Sequence, residues 1–296
     1  MSQRYAGGTL SVGLDGINSP VTQVEYLVVA GGGGGGGQGG GGGGAGGLLT
    51  AIGYAITLGS SITVTIGAGG GGGITTGANG GSSVFGNITA TGGGGGGSNS
   101  GGTQPQSGGS GGGGNNGATG IFGQGNSGGY YTYWGASQYT YGGGGGAGSA
   151  GLNPAYVGAV TPPGIGGAGV VSSITGIPVQ YAAGGGGTSR YGTIITLGGS
   201  PNAGIGGCIG YADYGYGANN GSGQYAIANT GCGGGGGQGD TATPANQYGG
   251  TGGSGIVVIR YPAYQVAATS TTGSPEMYII NGWRVYKFVA SGTITF

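Results

Sequence analysis

Apolar positions in this chain come in short bursts of β-branched and aromatic residues, and each burst runs into glycine. Val24, Tyr26, Leu27, Val28 and Val29 lead into an unbroken glycine run at 31–37 and, after Gln38, a second at 39–44. Ile62, Val64 and Ile66 lead into 69–73, Val84, Phe85 and Ile88 into 92–97, and Val179 and Tyr181 into 184–187. Further runs at 111–114, 142–146 and 233–237 bring the number with four or more glycines to eight. Bursts of this length and composition predict short strands. Glycine disfavours a helix by about 1 kcal/mol per residue, so helix content is expected to be close to nil.

After Gly255 the pattern changes. Ile256, Val257, Val258 and Ile259 form a strand expected to pair with 24–29 and close the domain. Met277-Tyr278-Ile279-Ile280, then Asn281-Gly282, then Trp283-Arg284-Val285-Tyr286 is a hairpin signal with a type I′ turn. Residues 285–289 and 293–296, around Ala290-Ser291-Gly292, read as a second hairpin. The expected organisation is an N-terminal anchor segment at 1–23, a glycine-rich bundle at 24–262 and a small three-stranded β-meander at 263–296.

Composition explains what the glycine runs can be. Glycine supplies 95 of 296 residues, so side chains are too few for a conventional core along the whole length. Disorder is opposed by 20 tyrosines and a charged fraction of 3%. The extended three-residue helix has no internal hydrogen bonds, so every N–H and C=O points outward. Helices without side chains approach closely and bond one another laterally, which is the polyglycine II arrangement. A seven-residue run spans roughly 22 Å at about 3.1 Å per residue. The fold class is therefore mainly irregular and β: a bundle of polyglycine II helices capped by short strands.

Charge removes several functions. Five basic and five acidic residues give a net charge of zero, which leaves no positive footprint for nucleic acid. Collagen needs glycine at every third position and abundant proline, and the chain has unbroken glycine runs and 10 prolines. No apolar run is long enough for membrane insertion as a helix. With no histidine and two cysteines, neither a metal site nor a cofactor is expected. Residues Met1 to Gly8 lack the apolar stretch of a secretory signal, so export by lysis is the expected route.

The segment Glu25-Tyr26-Leu27-Val28-Val29-Ala30 with its glycine run, and Gly255-Ile256-Val257-Val258-Ile259-Arg260-Tyr261 near the end, resemble the bookends of the glycine-rich domain of tailed-bacteriophage fibre and other virion proteins. The resemblance covers about 24–262. It implies a virion location, tail-fibre subunits as partners in a homo-oligomer, and a host cell-surface glycan or outer-membrane protein as receptor. In fibre-tip adhesins of similar architecture, packed polyglycine II helices display loops that bind the host. The tyrosine-rich inserts and the C-terminal strands have no counterpart there.

Those inserts are the candidate receptor-binding residues. Tyr130, Tyr131, Tyr133, Trp134, Tyr139 and Tyr141 fall within twelve positions, and Tyr211, Tyr214, Tyr216 and Tyr225 form a second group. Aromatic faces with polar tips give large contact area at low side-chain entropy cost. The competing reading is that the same rings seal the bundle or a subunit contact. Cys208 and Cys232 form a disulfide or stay as two small buried residues, and a reducing cytoplasm favours the second. Gly-x-Gly-x-x-Gly matches arise by chance at this glycine frequency. Asp213 and Asp240 are the carboxylates near the second tyrosine group; nothing in the sequence joins them, so no enzyme is expected. The expected function is a non-catalytic fibre-tip adhesin. The alternatives are a purely structural virion protein or an extracellular glycine-rich fibre.

Overall fold

A computed structural model describes residues 19–98, 103–133, 139–155, 162–189, 196–206, 221–239 and 247–296, with the backbone alone at 132–133. Among them there is no helix. The strands in chain order are β1 (Gln23–Val29), β2 (Leu48–Ala55), β3 (Ser61–Thr65), β4 (Ser83–Phe85), β5 (Ile88–Ala90), β6 (Thr132–Tyr133), β7 (Tyr139–Thr140), β8 (Val170–Ser172), β9 (Val179–Tyr181), β10 (Ile256–Pro262), β11 (Ser270–Thr271), β12 (Glu276–Ile280), β13 (Trp283–Phe288) and β14 (Gly292–Thr295).

Two five-stranded antiparallel sheets form the base of the molecule, ordered β12-β13-β10-β1-β2 and β11-β14-β3-β4-β5. β1 and β10 pair as the sequence suggests, from Glu25 opposite Arg260 to Val29 opposite Ile256. Residues 26–29 of β1 and 256–259 of β10 are unbroken apolar runs because both faces are covered there. Tyr26, Val28, Val257, Ile259 and Tyr261 pack on Val64, Phe85, Ile294 and Phe296 of the second sheet. On the opposite face Leu27, Val29, Ile256 and Val258 pack on Ile174, Tyr181 and Ala182 around the β8–β9 hairpin.

β1 then runs straight into the glycine lattice. The N–H groups of Gly31, Gly34 and Gly37 donate to the carbonyls of Gly81, Ala78 and Thr75. Those of Gly32, Gly35 and Gln38 donate to Gly253, Gly250 and Gln247, and those of Gly33 and Gly36 to Gly44 and Gly41. Every third residue meets the same neighbour, and each of these neighbours runs antiparallel. In return the carbonyls of Gly31 and Gly34 accept from Gly93 and Gly96, those of Gly32 and Gly35 from Gly70 and Gly73, and those of Gly33 and Gly36 from Gly234 and Gly237. These three neighbours run parallel. The run 31–37 therefore sits among six others at N···O distances of 2.7–3.2 Å, which is the polyglycine II lattice. Residues 40–46 form a second hub of the same kind, bonded to 94–97, 142–145, 185–188 and 231–237 among others. A Cβ on Gly32 would overlap the carbonyl of Cys232, and one on Gly35 that of Gly235. Close approach of backbones is what requires glycine there.

The C-terminal strands depart from the expected meander. The Asn281-Gly282 turn is present, with φ of 51° and 78°, and joins β12 to β13. β13, however, has β10 on its other side, so both of its edges are occupied and β14 cannot pair with it. β14 crosses instead to the second sheet, between β11 and β3, and carries Ile294 and Phe296 into the space between the sheets. The strands of 263–296 are thus shared between two sheets rather than forming one of their own. The anchor segment expected at 1–23 lies outside the described residues up to position 18.

Candidate binding surface

The lattice has a base and a tip. At the base, Ser19 accepts from the N–H of Val266 and Phe296 from that of Gly59, so both ends of the described chain lie against the sheets. At the other end of 31–37, Gln38 and Gly39 take φ of 51° and 77° and turn the chain back. The segments that flank the undescribed internal stretches gather at this tip. Ser98 bridges to Gly40, Thr140 to Ser189 and Thr196 to Gly206. Ser98 N–H donates to Thr103, Gln238 to Gly221, and Gln38 to Gln247. Tyr141 accepts from Gly164 and donates to Thr188 through its backbone. Side chains are excluded from the lattice interior, so longer insertions are accommodated where the helices end.

The first tyrosine group lies on this tip and divides in two. β6 and β7 pair Thr132 with Thr140 and Tyr133 with Tyr139. Tyr130 is 52% exposed, its N–H held by Asn153 Oδ1 at 2.9 Å. Tyr131 is 36% exposed and Tyr139 is half-buried. Tyr141 is fully buried, stacked beneath Tyr131 at 6.3 Å and 24°. Tyr141 is therefore a support of the patch and not a contact residue: its position immediately before the run 142–146 places its ring against the lattice. Tyr225 is 74% exposed but stands on the flank, between backbone partners Ile205 and Thr251 of its neighbours Gln224 and Ala226. The structure does not join it to the Tyr130 group. The side chain of Tyr133, together with Trp134, Tyr211, Tyr214, Tyr216, Cys208, Asp213 and Asp240, lies outside the described residues.

Cys232 is a buried free thiol. Its sulfur accepts from the N–H of Ala183 at 3.4 Å, and burial pushes its pKa up, against the opposing effect of the Thr230 hydroxyl. It behaves as a small core residue.

Sequence reasoning missed an apolar row beside Tyr130. Leu152 donates its N–H to Ile165, and Gly166 donates to Leu197, so three adjacent outer segments carry exposed Leu152, Ile165 and Leu197. A signal existed. Each is an aliphatic residue next to glycine, and a side chain beside the lattice has only its outside available.

The model of a glycine-rich domain family matches residues 13–262. The chain belongs to this family. The match begins ahead of β1 and ends at the last residue of β10, so the glycine-rich domain includes both strands that close it. Nothing among the curated proteins and nothing among the solved structures matches the chain.

Proposed function

We propose that this glycine-rich domain is a bacteriophage tail-fibre or fibre-tip adhesin that recognises the host cell surface without catalysis. The observation that carries the reading is the polarity of the molecule. Both described chain ends lie at the sheeted base, and the exposed Tyr130 and Tyr131 sit at the opposite tip, where the chain turns back after the run 31–37. A preorganised tip loses little entropy on binding, and copies on one particle add weak contacts into avidity.

The second reading, a structural virion part, draws on the row Leu152, Ile165 and Leu197, because exposed aliphatic rows also serve subunit contacts. One experiment separates the two. Whole bacterial cells are titrated with wild-type protein and with a Tyr130→Ala/Tyr131→Ala variant, alongside light scattering for oligomeric state. The adhesin reading expects binding by wild type and a loss of about tenfold or more in the folded variant. No binding by wild type, with a smaller oligomer for a Leu152→Ser/Leu197→Ser variant, establishes the structural reading instead.

A further inference from the structure

β12 is one of the two edge strands of the first sheet. Between its inner face and the β8–β9 hairpin runs a groove of about 440 Å³, at the base and far from the tyrosine tip. The volume lies within the range of small-ligand sites. Its walls are fixed. Tyr278 donates its hydroxyl to the carbonyl of Thr175 at 3.1 Å, Tyr181 is buried, and Glu276 and Lys287 are register partners across β12 and β13.

The chemistry of the lining selects a ligand class. Tyr278 and Ile177 supply aromatic and aliphatic surface, and Ile177 stands at the rim, 61% exposed. Asn229 supplies an amide. Glu276 and Lys287 meet at 2.6 Å with 61% and 32% of their side chains still accessible, so each has hydrogen-bonding capacity left while their charges cancel. With the two charges cancelled a charged ligand gains no net attraction, and a purely apolar one would strip water from the pair without replacing the lost bonds. An uncharged molecule with hydroxyls at its edge and C–H faces matches all of these groups. We propose that this groove binds a neutral saccharide of one or two sugar units. The site is independent of the tip and of the adhesin reading.

The test uses the full chain and calorimetric titration with maltose, lactose and N,N′-diacetylchitobiose, with sialic acid and glucosamine as charged comparisons. At least one neutral sugar is expected to bind in about the millimolar range, and the charged ones more weakly. Ile177→Trp fills the rim and is expected to weaken binding about tenfold with the melting temperature unchanged. Glu276→Gln, which exposes Lys287 to the ligand unpaired, is expected to weaken it as well and decides the matter if Ile177→Trp does not fold. Sugar affinity lost in Tyr130→Ala but kept in the groove variants would assign the sugar to the tip and overturn the groove proposal. No heat with any neutral sugar, equal binding of the charged ones, or affinity indifferent to the groove variants overturns the proposal.

Discussion

Glu25 and Arg260 are 235 positions apart in the chain and face each other across β1 and β10, with Nε 2.7 Å from Oε2. Arg260 also lies 4.5 Å over the ring of Trp283 and donates to the carbonyl of Ser173 at 3.2 Å. One guanidinium therefore ties the strand that enters the lattice to the strand that leaves it, and both to the β8–β9 side of the base. Each side chain is about four-fifths shielded, so the pair is less screened than an exposed one. Arg260→Ala is expected to cost about 2 kcal/mol in urea unfolding. A double-mutant cycle with Glu25→Gln should return about 1 kcal/mol of coupling. A coupling of zero would mean that Trp283 and Ser173 account for the whole effect.

The lattice makes a sharper prediction, because two glycines of the same class should respond oppositely. Gly35 lies at the centre, where an added Cβ overlaps the Gly235 carbonyl. Gly71 has open space where its Cβ would stand, and its φ is not left-handed. Gly35→Ala is expected to cost more than about 3 kcal/mol or to prevent folding, as overpacking against rigid backbone does. Gly71→Ala should be neutral or stabilising by about 0.5 kcal/mol, through the unfolded chain. Thermal melts of the two variants side by side check this, and equal losses would contradict the lattice geometry.

How much of this was legible in the sequence follows from how local each determinant is. The β1–β10 pair was readable because Val28, Val29, Val257 and Val258 belong to the longest apolar runs, which only a strand covered on both faces needs. The Asn281-Gly282 turn was readable because positive φ at two successive residues has few sequence solutions. The destination of β14 was not. It depends on β13 having both edges already filled by β10 and β12, which no property of residues 293–296 records. Nor was the difference between Tyr130 and Tyr141. In a three-fold helix each residue points in one of three directions, and only the neighbouring helices decide which direction is solvent.

Stability should fall on the alkaline side. Burial raises the pKa of Cys232, Tyr181 and Tyr278, and also that of Tyr261, where the Tyr286 hydroxyl adds to the effect. A raised value means that the fold favours the protonated form. Its contribution is complete below the ordinary values of 9.0 for the thiol and 10.0 for the phenol, and is lost as pH climbs above them. With 0 histidines, no imidazole titrates in the middle range. Melting temperature is expected to be flat between about pH 5 and 8 and to fall above about pH 9. A steep change near neutrality in a pH series of melts would show that groups other than these control stability.

The stacked pair at the tip allows support and contact to be separated within one patch. Tyr141 is fully enclosed, Tyr131 rests on it, and Tyr130 projects beside them. Removing the enclosed ring leaves a cavity against backbone that cannot close around it, so Tyr141→Ala should cost about 3–5 kcal/mol. Tyr131→Ala loses the stack and some burial, about 0.5–1.5 kcal/mol. Tyr130→Ala, which removes a half-exposed ring, should fall within about 0.5 kcal/mol of wild type. Urea unfolding of the three variants gives the order. Binding should run the other way among the folded proteins, with Tyr130→Ala losing affinity while keeping stability. If Tyr130→Ala instead loses as much stability as Tyr141→Ala while the protein that stays folded binds as wild type does, the tip tyrosines seal the bundle, and any contact surface has to be sought on the flank of Leu152, Ile165 and Leu197.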